Sequence, residues 1–199
     1  MRGGNLTREH LIRVSAELFS EKGFRAATME DIAQALGIRK GSIYYYIKSK
    51  EELLREISLR TMNMLLEAAQ NIVSSISHPP KRIEALIDSH VRLLCENLDL
   101  FTCTLRELTP TNAGPFWGEI VGLRDRYESL IRWAIRDAKE KGVLKEIDEK
   151  MAGLALLGMM NWMTRWYSPD GEKSSRELAQ IWTDIFFNGT GKREVDNGV

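Results

Sequence analysis

Two cysteines, Cys95 and Cys103, are too few for a disulfide framework, which in small secreted domains takes many more. Long hydrophobic runs are missing as well. The most apolar stretch, Met151 to Met163, falls short of the ~20 residues a membrane span requires and already carries Asn161. The start, MRGGNLTREHLIRV, has no apolar segment behind its basic residues, so no signal peptide is expected. The three histidines, His10, His78 and His90, fall in no metal-ligand or triad spacing, and no glycine-rich phosphate-binding signature occurs. Sustained apolar/polar alternation and β-branched clusters between turn signals are absent, which excludes a sheet. These absences leave an all-α, cytoplasmic, non-enzymatic protein, with no cofactor, metal or membrane partner expected.

Charge of one sign is not in excess, since 28 basic residues meet 28 acidic ones. Their placement is uneven. Residues 1–50 hold nine basic groups against five acidic ones, and the rest of the chain carries the opposite balance. A basic head on an acidic body turns one end of the molecule towards a polyanion.

What is present is helix, set off by caps. The spacing predicts a first helix over Thr7–Lys22, stopped by Gly23, with Leu11, Val14, Leu18 and Phe19 on one face. A second runs over Thr28–Leu36, with Thr28 as N-cap and Met29, Ile32, Ala33 and Leu36 inward. A third, short helix spans Lys40–Ile47. Ser49 and Glu52 form a capping box that opens a long helix ending before Pro79-Pro80. Helices over Lys81–Asn97 and Leu98–Leu108 follow, then a loop at Thr109–Pro115. The last three cover Phe116–Lys141, Asp148–Tyr167 and Ser174–Asn188, with a polar tail after Gly189. This divides the chain into a head, residues 1–50, and a body, residues 51–199.

A supporting helix, a turn at Gly37-Ile38 and a second helix beginning at Arg39 or Lys40, all inside the basic segment, form a helix-turn-helix. In that arrangement the second helix enters the major groove. Arg39 and Lys40 suit guanine edges or phosphates, and Gly41 lets the backbone approach a base. Ser42, Tyr44 and Tyr46 offer hydroxyls to phosphate oxygens. Tyr45 reads partly as a packing residue.

The run AELFSEKGFRAATMEDIAQALGIRKGSIYYYIKSKEELL, within Thr7–Leu54, resembles the DNA-binding domain of the TetR family of repressors. The resemblance implies that Thr28 caps the supporting helix and touches a phosphate, and that Lys40 and Gly41 face bases. It further implies that Ser42, Tyr44 and Tyr46 meet phosphates, with Lys50 at the DNA backbone and Lys48 close by. Ile47 stands where the family usually has Phe.

The helix over Asp148–Tyr167 is apolar nearly all round, and the last helix has a broad apolar face. Both need covering from two sides, so a second subunit is expected across a two-fold axis. Leu156, Met160, Trp166, Trp182, Ile185 and Phe186 are its candidate contacts. A homodimer would set two recognition helices about one DNA turn apart on a palindromic operator.

Met62, Leu65, Leu66, Leu94, Phe101, Leu105, Phe116, Trp117, Ile120, Tyr127 and Trp162 read, as residues, as packed helical core; the family resemblance implies a ligand cavity among them. His90 reads as a hydrogen-bonded core or pocket residue. The C-terminal run is also similar to that of TetR-family regulators of fatty-acid degradation and related CoA-thioester catabolism, through Asn161, Trp162, Trp166, Tyr167, Pro169 and Gly171. That implies an acyl-CoA effector, its chain in the cavity, where Asn161 is a further candidate ligand residue, and its phosphates near basic residues at the mouth. The Trp166–Pro169 turn also reads as the structural end of the dimer helix. A regulator of multidrug efflux responding to apolar drugs is the alternative. Cys95, Cys103 and His90 would carry a metal or redox sensor, though they read as inert core groups.

Overall fold

The computed structural model describes residues 7–189; the expected polar tail after Gly189 and the first six residues lie outside this range. The described chain is all-α. It runs α1 (Arg8–Lys22), α2 (Met29–Ala35), α3 (Lys40–Ile43), α4 (Lys50–Ser75), α5 (Pro79–Glu96), α6 (Leu98–Glu107), α7 (Pro110–Ala113), α8 (Trp117–Glu140), α9 (Glu149–Asn161) and α10 (Ser175–Asn188). Short 3-10 turns at Gly114–Phe116 and Trp162–Arg165 lead into α8 and out of α9. No helix among the described residues is long and apolar enough to cross a membrane.

Caps set most of the boundaries. The Thr7, Thr28, Ser49, Asp148 and Ser174 side chains each accept a hydrogen bond from a first-turn backbone N–H, satisfying donors that the helix itself leaves free. At α4 the expected box closes only halfway. Ser49 Oγ accepts from the Glu52 N–H at 3.2 Å, but the Glu52 carboxylate accepts from the Lys48 N–H at 2.7 Å. The carboxylate therefore holds the turn one residue further back.

Four expectations are corrected. Pro79 and Pro80 do not lie outside the helices; they open α5, where a residue lacking N–H costs nothing. The loop expected at Thr109–Pro115 is a short helix capped by Thr109 and followed by a 3-10 turn. The third helix is shorter than expected and gives way to a turn at Tyr44–Tyr46. The helix expected to reach Tyr167 ends at Asn161 and tightens to 3-10 winding.

Two hydrophobic cores organise the chain. The head's core joins Leu11, Phe19, Ile32, Ile43 and Ile47 to Leu53, Leu54 and Ile57 of α4 and to Leu100 and Cys103 of α6. The body's core gathers α4, α5, α8, α9 and α10 around Leu65, Ile87, Leu94, Phe101, Ile131 and Leu156. At the far end, Arg82 is buried. It donates to the Ile76 carbonyl at 2.7 Å, the Ser77 carbonyl at 3.1 Å and Asp137 at 2.6 Å, with its guanidinium 4.7 Å from the Trp133 ring centroid. One side chain thus ties the end of α4 to α5 and α8. Replacing it leaves two carbonyls and a half-sheltered carboxylate short of a donor, although Lys141 still pairs with Asp137. Arg82→Met is therefore expected to destabilise the protein by about 3 kcal/mol, at the low end for breaking a buried pair, as measured by denaturant unfolding.

Candidate nucleic-acid interface and ligand cavity

The interface is built on a rigid α2 start. The Thr28 hydroxyl accepts from the Asp31 N–H at 3.1 Å, while the Thr28 backbone N–H donates to the Asp31 carboxylate at 2.8 Å. Lys22 donates to the other Asp31 oxygen at 2.8 Å. Lys22 foremost, then the Thr28 hydroxyl and N–H, hold the Asp31 carboxyl down at about 2. The cap therefore stays intact until pH falls below the ordinary carboxylate range. Gly37, at φ +65°, turns the chain where a side chain would be strained.

Ile43 and Ile47 anchor the next segment in the head's core. The anchoring leaves Arg39, Lys40, Gly41, Tyr44, Tyr46 and Lys48 exposed and Ser42 half-buried. Tyr45, expected in part to pack, is 90% exposed, because α3 ends at Ile43 and the two isoleucines supply the packing. Nothing lies within 4 Å of where a Gly41 Cβ would stand, so no packing inside the chain calls for glycine there. A helical glycine costs about 1 kcal/mol relative to alanine, and an outside surface closing on this backbone is what its smallness suits. Lys50 faces inward instead. Its ammonium donates to the Phe24 carbonyl at 2.7 Å and the Ala27 carbonyl at 2.8 Å, beside the Phe24 ring. It holds the loop carrying Thr28 rather than presenting its charge outward.

The body encloses a cavity of about 460 Å³, within the usual range for small-molecule sites. Of the candidate residues, Met62, Leu65, His90, Phe101, Leu105, Trp117, Ile120, Tyr127 and Asn161 line it. Thr61, Thr104, Leu108, Val121, Arg124, Glu128, Leu154, Leu157 and Gly158 also line it, beyond the residues expected from the sequence. Four expected members are elsewhere. Leu66 borders a separate surface hollow with Gln70 and Leu130, and Leu94 is fully enclosed in the body's core. Phe116 packs under the Arg55 guanidinium, 5.2 Å from its ring centroid. Trp162 is 63% exposed, since the 3-10 winding after Asn161 turns it out of the register that α9 would have kept.

The polar groups of the cavity wall are wired to each other. Thr104 Oγ donates to Thr61 Oγ at 3.0 Å, and Thr61 bonds the Ile57 carbonyl at 3.0 Å. Tyr127 Oη lies 2.8 Å from His90 Nδ1, and His90 Nε2 lies 3.1 Å from Asn161 Oδ1. Burial pushes His90 down to about 4 and pushes the Tyr127 hydroxyl up, so both are uncharged at neutral pH. Outside the mouth, Leu105, Gly158 and Asn161 continue into a shallower hollow with Arg106, Trp162 and Arg165. Neither arginine has a carboxylate within 4 Å among the described residues.

Of the candidate dimer contacts, Leu156 at 1% and Met160 at 0% exposure belong to the body's own core. They lie on the side of α9 that meets α8, where Gly153 allows close approach to the Arg132 stem. The outer side of α9 bares Met151 and Leu154, and Trp166 is exposed just beyond. Trp182, Ile185 and Phe186 of α10 are half-buried, with Trp182 6.3 Å from Trp166 between ring centroids. Burial pushes the thiols of both Cys103 and Cys95 up, which keeps them protonated and unreactive.

A neutral buried histidine leaves a mark on stability. The unfolded chain takes up a proton below the free-histidine value of about 6.5, while folded His90 resists until about 4. Folding is therefore weakened as pH falls through that window. Unfolding free energy is expected to decline from pH 7 towards 5, and His90→Gln to flatten that decline.

Comparison with known proteins agrees with this architecture. The profile of bacterial regulatory proteins of the tetR family matches residues 11–57, and that of the tetracyclin repressor-like C-terminal domain matches residues 77–190. The HTH-type transcriptional repressor KstR2 of Mycobacterium tuberculosis is 24% identical over 193 residues, covering 96% of each chain. The TetR family transcriptional regulator PfmR of Thermus thermophilus superposes with a TM-score of 0.82 at 35% identity, over 92% of this chain and 99% of that one. AibR, in complex with isovaleryl coenzyme A and operator DNA, shares the fold with a TM-score of 0.80 at 24% identity, over 90% of this chain and 97% of that one. With a helix-turn-helix head, a helical body and matching profiles on both, the chain belongs to the TetR family of transcriptional repressors.

Proposed function

We propose that this repressor binds a palindromic operator as a homodimer and is released from it by an acyl-CoA thioester, governing genes of fatty-acid or lipid breakdown in the cytoplasm. The observation that carries the effector class is the join between a largely apolar cavity and an outer hollow holding Arg106 and Arg165. An effector with an apolar tail and a phosphate-bearing head fits both parts; an apolar drug uses only the first. That AibR, of the same fold, is seen with isovaleryl coenzyme A and operator DNA supports the reading.

Dimerisation follows from the apolar surface that the folded subunit leaves bare. The outer side of α9, Trp166 and the Ile181 side of α10 form that surface. A two-fold pairing would cover it with its own copy. In the head, Arg39, Lys40 and Gly41 approach base edges, and Thr28, Ser42, Tyr44, Tyr46 and Lys48 grip phosphates.

The route from cavity to head runs through α6. Phe101, Thr104 and Leu105 line the cavity, while Leu100 and Cys103 lie in the head's core. The Glu107 carboxylate accepts from the Phe24 N–H at 2.9 Å, and Ser20 donates to the Asp99 carbonyl at 3.1 Å. A ligand that fits one placement of α6 better than another shifts the head, and with it the spacing of the two recognition helices.

Fluorescence anisotropy on DNA from upstream of its own gene, with and without palmitoyl-CoA, tests this reading. Tight, salt-dependent binding that the thioester abolishes is expected; binding indifferent to every CoA ester tried would discard the effector class. Lys48→Ala should weaken binding evenly across sequences and lower the salt slope by about 1, whereas Lys40→Ala should cost about 1–3 kcal/mol on the operator and blur base preference. Arg106→Ala with Arg165→Ala should weaken thioester release roughly a hundredfold, each charge-assisted contact being worth ~1.5 kcal/mol at the low end, and leave ligand-free DNA binding unchanged.

A further inference from the structure

The hydrogens of the cavity's polar wall can be followed one by one. Thr104 gives its hydroxyl hydrogen to Thr61, and Thr61 gives its own to a backbone carbonyl. An amide oxygen only accepts, so His90 Nε2, 3.1 Å from Asn161 Oδ1, is the protonated nitrogen. His90 Nδ1 is then the acceptor of the Tyr127 hydroxyl at 2.8 Å. The order of donation is Tyr127 to His90 to Asn161, each link using the only hydrogen its donor has. The relay ends on an amide whose two Nδ2 hydrogens have no protein acceptor among the described residues.

The place of that amide gives it meaning. Asn161 lines both the cavity and the outer arginine hollow. Trp117 and Arg124, the other lining residues with side-chain N–H groups outside the relay, do not border that hollow, and the Arg124 guanidinium is paired with Asp125. Accepting from His90 fixes the rotation of the Asn161 side chain and polarises its N–H groups. A fixed donor at the neck, between an apolar chamber and a cationic rim, meets whatever atom joins a ligand's tail to its head.

We propose that Asn161, oriented by the His90–Tyr127 relay, recognises the effector's acyl carbonyl at the cavity neck and so selects thioesters over carbonyl-free analogues. This rests on the acyl-CoA reading of the same cavity. Asn161 is the contacting residue; His90 and Tyr127 are positioning residues that act through it. A neutral relay keeps the amide's orientation unchanged through the physiological range.

The test compares palmitoyl-CoA with hexadecyl-CoA, the thioether that lacks only the carbonyl oxygen, by calorimetric titration and by release of operator DNA. Wild-type protein should bind the thioester roughly tenfold more tightly, the share one well-placed hydrogen bond supplies. Asn161→Asp keeps an acceptor for His90 but has no hydrogens to donate, so the preference should vanish or reverse. Asn161→Ala should also abolish it while leaving thioether affinity within about twofold, which doubles as a check that the cavity is intact. His90→Phe should shrink the preference more than it weakens thioether binding. Equal wild-type affinities, or a preference that survives Asn161→Asp, would overturn carbonyl recognition and leave the CoA-ligand reading standing. Binding of neither compound by the wild type would overturn both.

Discussion

α6, Leu98–Glu107, is only 10 residues long, yet two hydrophobic cores depend on it at once. Leu100 and Cys103 complete the packing of the head, and Phe101 belongs to the core of the body. Successive residues therefore face different cores, and the helix cannot move without disturbing both. Close-packed interiors do not deform continuously; they shift between discrete arrangements. Thr61 strengthens the constraint, because its hydroxyl lies 3.3 Å from the Leu100 carbonyl and ties α6 to the long helix α4. Two of the helices that line the cavity, α4 and α6, are thus the same two that seat the DNA-binding head.

The fold is largely legible in the sequence because its punctuation is chemical. Thr28 caps α2 as its place before the apolar face predicts, and the Asp31 carboxylate completes a reciprocal box there, as Glu177 does with Ser174. Gly23 and Gly142 fall at helix ends with positive φ. Legibility fails where a residue type has two uses. Pro79-Pro80 reads as a stop, but proline suits the first helical turn as well as the residues after the last one. Thr109 sits among residues that spell a loop, yet its hydroxyl caps a single helical turn.

The cavity is legible in composition and not in membership. Periodicity says which side of a helix turns inward, but not whether the space there is filled. Leu94 and Phe101 lie on inward faces alike; the first is enclosed and the second meets the cavity. Trp162 and Asn161 are neighbours in sequence and part company because the winding changes between them. Leu156 and Met160 read as partner contacts because α9 is apolar on every side, and such a helix gives no sign of which side its own subunit takes. Thr61 and Thr104 carry a faint signal: a hydroxyl on an otherwise apolar stripe must find a partner inside, and here each finds the other.

The charge pattern has the same logic at a larger scale. Balanced overall charge keeps non-specific attraction to a polyanion low, so the head's own excess of basic groups must be aimed to be of use. The Thr28–Asp31–Lys22 cluster and the Lys50 ammonium do the aiming, by fixing the α1–α2 turn and the start of α2 from both sides. Lys50 is consequently drawn in from the outer surface, while Lys22 stays exposed but is paired with Asp31. Of the head's exposed basic residues, Arg39, Lys40 and Lys48 stand on a segment anchored by Ile43 and Ile47. In the proposed binding mode, few charges held rigidly give a contact whose strength depends on the placement of α3, whose anchor shares a core with α4 and α6. A head gripping DNA through many loose lysines would keep its hold when those helices moved. Under the proposed function, restricting the grip to a few residues on an anchored segment would make DNA binding responsive to a change in the body.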